Sequence, residues 1–252
     1  MNFTALTIFP EMFNPFWEHG IIRRAIDRNK IRVSAIDIRD FAEGKHRVTD
    51  DRPYGGGCGM VMKPEPLAGA IRAAREKAPS AKTILLTPQG RRLNQQMARE
   101  LATCSALILV CGRYEGIDER ICDELIDDEI SIGDYVMTGG ELAAMVIIDA
   151  VTRLIPGTLG GEDSAEKDSF SDDLLEHAHY TRPRNFENNE IPEVLVSGHH
   201  REIEQWRLES SVMRTLLKRP DLLQNRALNN GEVEILSKWY RIIENLIGEF
   251  RD

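Results

Sequence analysis

The chain has 252 residues, is 42% hydrophobic, and carries 32 basic against 41 acidic side chains for a net charge of −9. That is enough apolar material for one substantial core and a smaller satellite, while the longest apolar runs, Ala106 to Cys111 and Ala143 to Ile148, fall far short of the roughly 20 residues that cross a bilayer. Met1-Asn2-Phe3-Thr4 lacks the basic and apolar regions of a secretory signal, so a cytoplasmic protein without membrane attachment is expected, and cysteines without C-x-x-C spacing point to neither disulfides nor structural zinc.

From Asn2 to about Ile155 short β-rich runs alternate with helical patterns, which predicts an α/β domain with a largely parallel sheet. Strands are expected at 3–9, 31–38, 83–87, 106–111 and 129–132, and helices at 15–29, 66–78, 94–103, 118–125 and 140–154, the last apolar on most sides and so buried. After Pro156-Gly157 the periodicity stops, and the small, charged stretch from Gly160 to Asp168 reads as a linker. Helical spacing returns at 201–217, with Ile203, Trp206, Val212 and Leu216, and at 232–250, with Val233, Leu236, Tyr240, Ile243 and Ile247. The expected organisation is a catalytic domain at 1–160, a flexible linker at 161–175 and a small helical domain at 176–252.

An acidic chain is at first sight a poor partner for nucleic acid, because phosphate binding needs positive charge. The acids are concentrated, however: residues 115–134 and 162–176 contribute −8 and −6, so the remainder carries +5. Such a distribution permits an RNA-binding face without requiring one.

Three glycine-rich segments each follow or close a predicted strand. They are Asp50-Asp51-Arg52-Pro53-Tyr54-Gly55-Gly56-Gly57-Cys58-Gly59-Met60, Cys111-Gly112-Arg113-Tyr114-Glu115-Gly116, and Ile132-Gly133-Asp134-Tyr135-Val136-Met137-Thr138-Gly139-Gly140. Without a Cβ the backbone approaches a ligand closely and leaves N–H and C=O groups free to read it. Tight turns are the commoner use of any one such cluster, but two beginning at strand ends favour a ligand site, since α/β sheets bind ligands at the carboxyl ends of their strands. Neither G-x-G-x-x-G nor G-x-x-x-x-G-K-[ST] occurs, so a nucleoside ligand would be held in some other way. His177-Ala178-His179 and His199-His200 lack zinc spacing, and no G-x-S-x-G elbow is present. By spacing alone, Arg153 reads as a cation near the negative end of a helix and Asp168 as part of a solvated tether.

These glycine segments, with Ile8-Phe9-Pro10-Glu11-Met12-Phe13, Leu85-Leu86-Thr87-Pro88-Gln89-Gly90-Arg91, Asp149-Ala150-Val151-Thr152-Arg153-Leu154-Ile155-Pro156-Gly157, Lys167-Asp168-Ser169-Phe170, His179-Tyr180-Thr181-Arg182-Pro183, Ser197-Gly198-His199-His200 and Trp206-Arg207, closely resemble the bacterial tRNA (guanine-37-N1)-methyltransferase family of the SPOUT superfamily. The likeness runs in order along nearly the whole chain. It implies a deep trefoil knot in the second half of the α/β domain, which no sequence pattern shows and base rates oppose. It further implies a homodimer with active sites completed across the subunit interface, and the partners S-adenosyl-L-methionine and tRNA.

The resemblance places the S-adenosylmethionine pocket at Leu86, Thr87, Pro88 and Gln89, then Gly112, Arg113, Tyr114 and Glu115, then Ile132, Gly133, Asp134, Tyr135, Val136 and Met137, with Gly139 and Gly140. Ala143 stands where the family commonly has proline. The guanine N1 is protonated at neutral pH, so a base must remove that proton as the methyl group arrives; the resemblance gives this to Asp168, and gives Arg153 the charge developing on O6. Arg52, Tyr54, Gly55, Gly56 and Gly57 correspond to the loop near the guanine, and Arg182, Arg201, Arg207 and Arg214 are candidate phosphate contacts. Magnesium is associated with the family, and Glu115 is a candidate for engaging it or for positioning the base, but no metal-ligand set is expected from the spacing. The alternatives are a knotted ribose 2′-O-methyltransferase, which should lack the aspartate that follows Arg153 in the linker, and a tRNA-binding protein that has lost catalysis.

Overall fold

The computed structural model describes residues 1–160, 168–224 and 226–249. The chain divides into two compact units, Met1–Glu162 and Asp163–Asp252.

The first unit runs β1 (Asn2–Thr7), the short helices α1 (Asn14–Trp17) and α2 (Gly20–Asp27), β2 (Arg32–Asp37), the two-residue strands β3 (Asp50–Asp51) and β4 (Val61–Met62), α3 (Pro64–Lys77), β5 (Lys82–Arg92), α4 (Gln95–Ala102), β6 (Ala106–Cys111), α5 (Glu119–Leu125), β7 (Asp128–Ser131) and α6 (Glu141–Thr152). Five strands form one sheet in the order β2-β1-β6-β5-β7, and every pair is parallel. A sheet of parallel strands needs cover on both faces, and its central strands then read as unbroken apolar runs. All six residues of β6 are buried. Leu107, Leu109 and Cys111 point to one core with residues of α2, α4 and α6, while Ala106, Ile108 and Val110 point to the other with α3 and α5.

The helix starts follow local chemistry. The Asn94 side chain accepts from Met97 N–H at 2.8 Å to cap α4, and Asp118 accepts from Arg120 N–H at 3.1 Å to cap α5. The single helix expected at 15–29 is instead two, because the chain turns at Gly20 with φ +63°. The strand expected to stop at Thr87 continues to Arg92. Leu86 and Arg91 both pair with Ile130 of β7, so the residues between them bulge out of the ladder and take Pro88 with them. Pro88 therefore leaves no ladder hydrogen bond missing. Asp128 clamps the same two strands, accepting from Lys82 Nζ and Arg91 Nη2, each at 2.7 Å.

The second unit contains the hairpin β8 (Asn185–Phe186) and β9 (Asn189–Glu190), then α7 (His200–Lys218), α8 (Pro220–Gln224) and α9 (Asn230–Glu249). The helices expected at 201–217 and 232–250 are present with ends moved by one or two residues; α8 and the hairpin carry no periodic signal in so few residues. A reciprocal box opens α9: Asn229 Oδ1 accepts from Glu232 N–H at 3.0 Å, and Glu232 Oε2 accepts from Asn229 N–H at 2.9 Å. The core here is small, with Leu174, Val212 and Ile235 buried against Leu208, Leu223, Leu236 and Trp239. Residues 161–167 of the expected linker lie outside the described residues. From Asp168 onward the chain folds onto α7, with Leu175 N–H donating to Thr215 Oγ1 at 2.9 Å and Ala178 N–H to Ser210 Oγ at 3.0 Å.

Candidate ligand pocket and active-site residues

A cavity of about 380 Å³ opens at the bulge of β5 and the carboxyl ends of β6 and β7, within the range of small-molecule sites. Its walls are the bulge of β5, the turn after β6 and the turn after β7. Leu86, Thr87, Pro88 and Gln89 come from the first, Gly112, Arg113, Tyr114 and Glu115 from the second, and Ile132, Gly133, Tyr135, Val136, Met137, Gly139 and Gly140 from the third. Of the residues the resemblance placed in a pocket, only Asp134 is absent from these walls; it is exposed and pairs with Arg92 at 3.4 Å. The structure adds Leu85, Ile130 and Ser131 from the strands, Gly116, Ile117 and Thr138 from the turns, Glu119 and Cys122 from α5, and Ala143 from α6. The strand residues could have been found by extending each glycine segment back into its strand. Nothing in the sequence marked Glu119 and Cys122, which reach the pocket because α5 lies beside it.

Glycine lets segments approach closely at three places in or behind this wall. A Cβ on Gly90 would sit 2.4 Å from the main chain of Glu129 and Ile130, and one on Gly140 would sit 2.8 Å from the Cα of Cys111. A Cβ on Gly139 would meet Arg113 Nε at 2.2 Å. These contacts bring the turns close enough for Gly140 N–H to donate to the Gly112 carbonyl at 2.9 Å. Tyr114 takes the left-handed φ of +61°, a strained conformation for a bulky residue, and its turn is held by Glu115 N–H donating to the Met60 carbonyl at 3.0 Å.

That last bond docks the first glycine segment beside the pocket. Arg52, Gly55, Gly56 and Gly57 are exposed, and Tyr54 is fully so. Between Asp50 and the pocket turn, the Tyr114 phenol is pushed above its usual range by burial first and then by the Asp50 carboxylate. Under the turn, Arg113 forms a buried ion pair with Glu141, Nη2 to Oε2 at 2.8 Å. The two thiols nearby are poor nucleophiles. Burial pushes Cys111 well up, and burial with neighbouring Glu119, Glu129 and Asp123 pushes Cys122 to about 11. Among the described residues no group of three or more His, Cys, Asp or Glu could hold a metal ion.

The other expected residues are distributed through the chain. Arg153 caps the C-terminus of α6 and is exposed. In the second unit Asp168 is half-buried and its carbonyl accepts from Ser171 N–H at 3.1 Å. Arg182 and Arg201 are exposed, Arg207 on α7 pairs with Glu204 at 2.6 Å, and Arg214 lies two turns further along the same helix, half-buried.

A parallel α/β sheet with a cavity bounded by glycine-rich turns at its carboxyl edge is the architecture of α/β proteins that bind small ligands there, here without the usual dinucleotide loop. Its two turns, after β6 and after β7, are glycine segments read from the sequence. The model of the family described as tRNA (Guanine-1)-methyltransferase TrmD matches residues 1–225, and the chain belongs to that family. Among curated relatives it is 57% identical to a tRNA (guanine-N(1)-)-methyltransferase of Desulfatibacillum aliphaticivorans over 247 residues, 98% of this chain and 94% of that one. It is 54% identical to the protein of the same name from Dehalococcoides mccartyi, covering 94% and 96% of the two chains, and 51% identical to that of Carboxydothermus hydrogenoformans, covering 99% and 98%. No helix among the described residues is long and apolar enough to cross a membrane.

Proposed function

We propose that this protein transfers the methyl group of S-adenosyl-L-methionine to N1 of guanine 37 in tRNA, next to the anticodon. The observation that carries the reading is the cavity at the bulge of β5 and the ends of β6 and β7, which gathers almost every residue at which the family likeness expects the methyl donor. Its size and its glycine-rich turns suit an adenosine moiety, whose ring edge backbone N–H and C=O groups can read. When bound, S-adenosylmethionine supplies an electrophilic methyl group on a sulfonium.

The chain's own residues have the remaining tasks. The Asp168 carboxylate accepts the N1 proton of guanine as the new C–N bond forms, so that the ring lone pair becomes available. Arg153, a permanent cation, steadies the charge that grows on O6. The exposed loop of Arg52, Tyr54, Gly55, Gly56 and Gly57 meets the unstacked base, since a guanine within a stacked loop offers its N1 edge to nothing. Arg182, Arg201, Arg207 and Arg214 contact phosphates. We assign the division of labour to a methyltransferase domain at 1–160 and a tRNA-binding domain at 176–252, joined by the segment that carries Asp168, and we place the protein in the cytoplasm as a homodimer whose α/β domain is knotted. No step of this scheme is routed through magnesium, for which the family likeness offers Glu115 as a candidate ligand.

The test is methyl transfer from labelled S-adenosylmethionine to unmodified tRNA bearing guanine 37, with the modified atom mapped by nuclease digestion and mass spectrometry. Wild type should yield N1-methylguanine, and Asp168→Ala should lose about 10²- to 10⁴-fold in rate while retaining cofactor binding. Label in a ribose would replace the reading with 2′-O-methylation, and an undiminished Asp168→Ala would remove that residue as the base.

A further inference from the structure

Below the pocket lies a charged pair for which the reaction scheme has no task. Arg113 lines the cavity, yet its side chain is only 16% exposed and turns inward to Glu141, which is 1% exposed. Arg113 Nε donates to both carboxylate oxygens, at 3.1 and 3.0 Å, and Nη2 lies 2.8 Å from Oε2. Thr7 Oγ1 donates to the same carboxylate at 2.7 Å. The far side of the guanidinium rests over the Phe9 ring, 4.5 Å from its centroid, with Nη2 3.5 Å from Met12 Sδ. The arrangement fits only because residue 139 has no side chain.

Stability is a weak reason to build such a pair, since desolvating two charges offsets most of their attraction and an apolar pair of the same size does as well. The ligand supplies a better one. On the function proposed above, the methyl donor is a sulfonium cation and its product, S-adenosylhomocysteine, is a neutral thioether. The guanidinium of Arg113 is permanently protonated. Left uncompensated in the pocket wall, it would repel the donor and not the product, so that product would displace reactant. We propose that Glu141 is a positioning residue that cancels and fixes the charge of Arg113, and so sets the preference of the pocket for a cationic over a neutral ligand.

This rests on the proposed function, and the experiment separates the two. Dissociation constants of S-adenosylmethionine and S-adenosylhomocysteine are measured by calorimetry for wild type, Glu141→Gln, Arg113→Gln and the double variant. Glutamine at 141 keeps the size of the side chain and an acceptor for Thr7. The carboxylates that line the cavity, Glu115 and Glu119, are common to all four proteins. Glu141→Gln should weaken the sulfonium about tenfold more than the thioether, as expected for an uncompensated charge acting across several ångströms of protein. Arg113→Gln should shift the ratio the other way, and the double variant should bring it back to within about twofold of wild type. Equal weakening of both ligands by Glu141→Gln, or a ratio that the double variant fails to restore, would overturn the inference while leaving the pocket assignment intact. Should Glu141→Gln not fold, an unmoved ratio in Arg113→Gln overturns it equally. A wild type that binds neither ligand overturns the proposed function and this inference with it.

Discussion

The two units spend their apolar residues differently. In residues 1–162 a parallel sheet buries side chains on both faces, and the buried set includes Phe3, Phe13, Leu6, Ile8 and nearly every residue of β6 and α6 that points inward. Among the described residues of the second unit only Leu174, Val212 and Ile235 form a buried apolar core, while Val233, Tyr240, Ile243, Leu246 and Ile247 of α9 are all close to half-exposed or more. A core of that size is marginal by area alone. The comparison teaches where precision resides: the first unit fixes a pocket by close approach of backbone, and the second presents long side chains from helices.

The comparison breaks most readily through the cores. Ile108, buried in the middle of β6, should lose about 2–5 kcal/mol on truncation to Ala. Ile235→Ala, beside a core open at its edge, should fall at or below the low end of that range. Trp17 reports on the first unit and Trp206 and Trp239 on the second, so denaturation followed by fluorescence in single-tryptophan backgrounds assigns each loss. Equal losses would show that the second core is tighter than its buried set implies.

A smaller effect is expected at Gly90, where Ala places a methyl group against the backbone of β7. Overpacking of this kind costs about 1–3 kcal/mol, and calorimetry with S-adenosylhomocysteine should show weakened binding, because the displaced segment is a pocket wall. Unchanged binding would mean that the bulge of β5 tolerates movement.

The smallest is a pH effect within the same ladder. Burial alone would raise the Asp128 carboxyl, but hydrogen bonds from Lys82 and Arg91 outweigh it and hold the group below its ordinary value. A folded-state value below the unfolded one gives stability that is complete above about pH 5 and is lost as the pH falls through the folded value. Acid denaturation of Asp128→Asn should therefore be shallower below about pH 4 than that of wild type. Parallel curves would remove Asp128 from the account of the β5–β7 pairing.

The same contrast governs how much was legible beforehand. β6 was visible to the residue because an unbroken apolar run has few other uses, and Asn94 and Asp118 marked helix starts by ordinary capping. The bulge was hidden because Pro88 usually ends a strand, and here a register shift absorbs it. In the pocket, the glycines declared main-chain recognition, while the identity of the ligand came through resemblance alone. Asp134, exposed and paired with Arg92, is the one residue of the expected pocket set outside the cavity walls, since a turn residue's direction is not set by its spacing. Glu141 passed unnoticed because an acid in the first turn of a helix is normally solvated, and only the tertiary approach of Arg113 and Thr7 buries it.

Gly90, Gly139 and Gly140 sit where a Cβ would press on a neighbouring segment, and the turns they permit form walls of the ligand pocket. An inhibitor that made its contacts with the main chain of those turns would therefore face a target with few routes to resistance. Substitution of a side chain cannot delete a carbonyl or an amide, and substitution of the glycines themselves distorts the turns on which the ligand pocket depends.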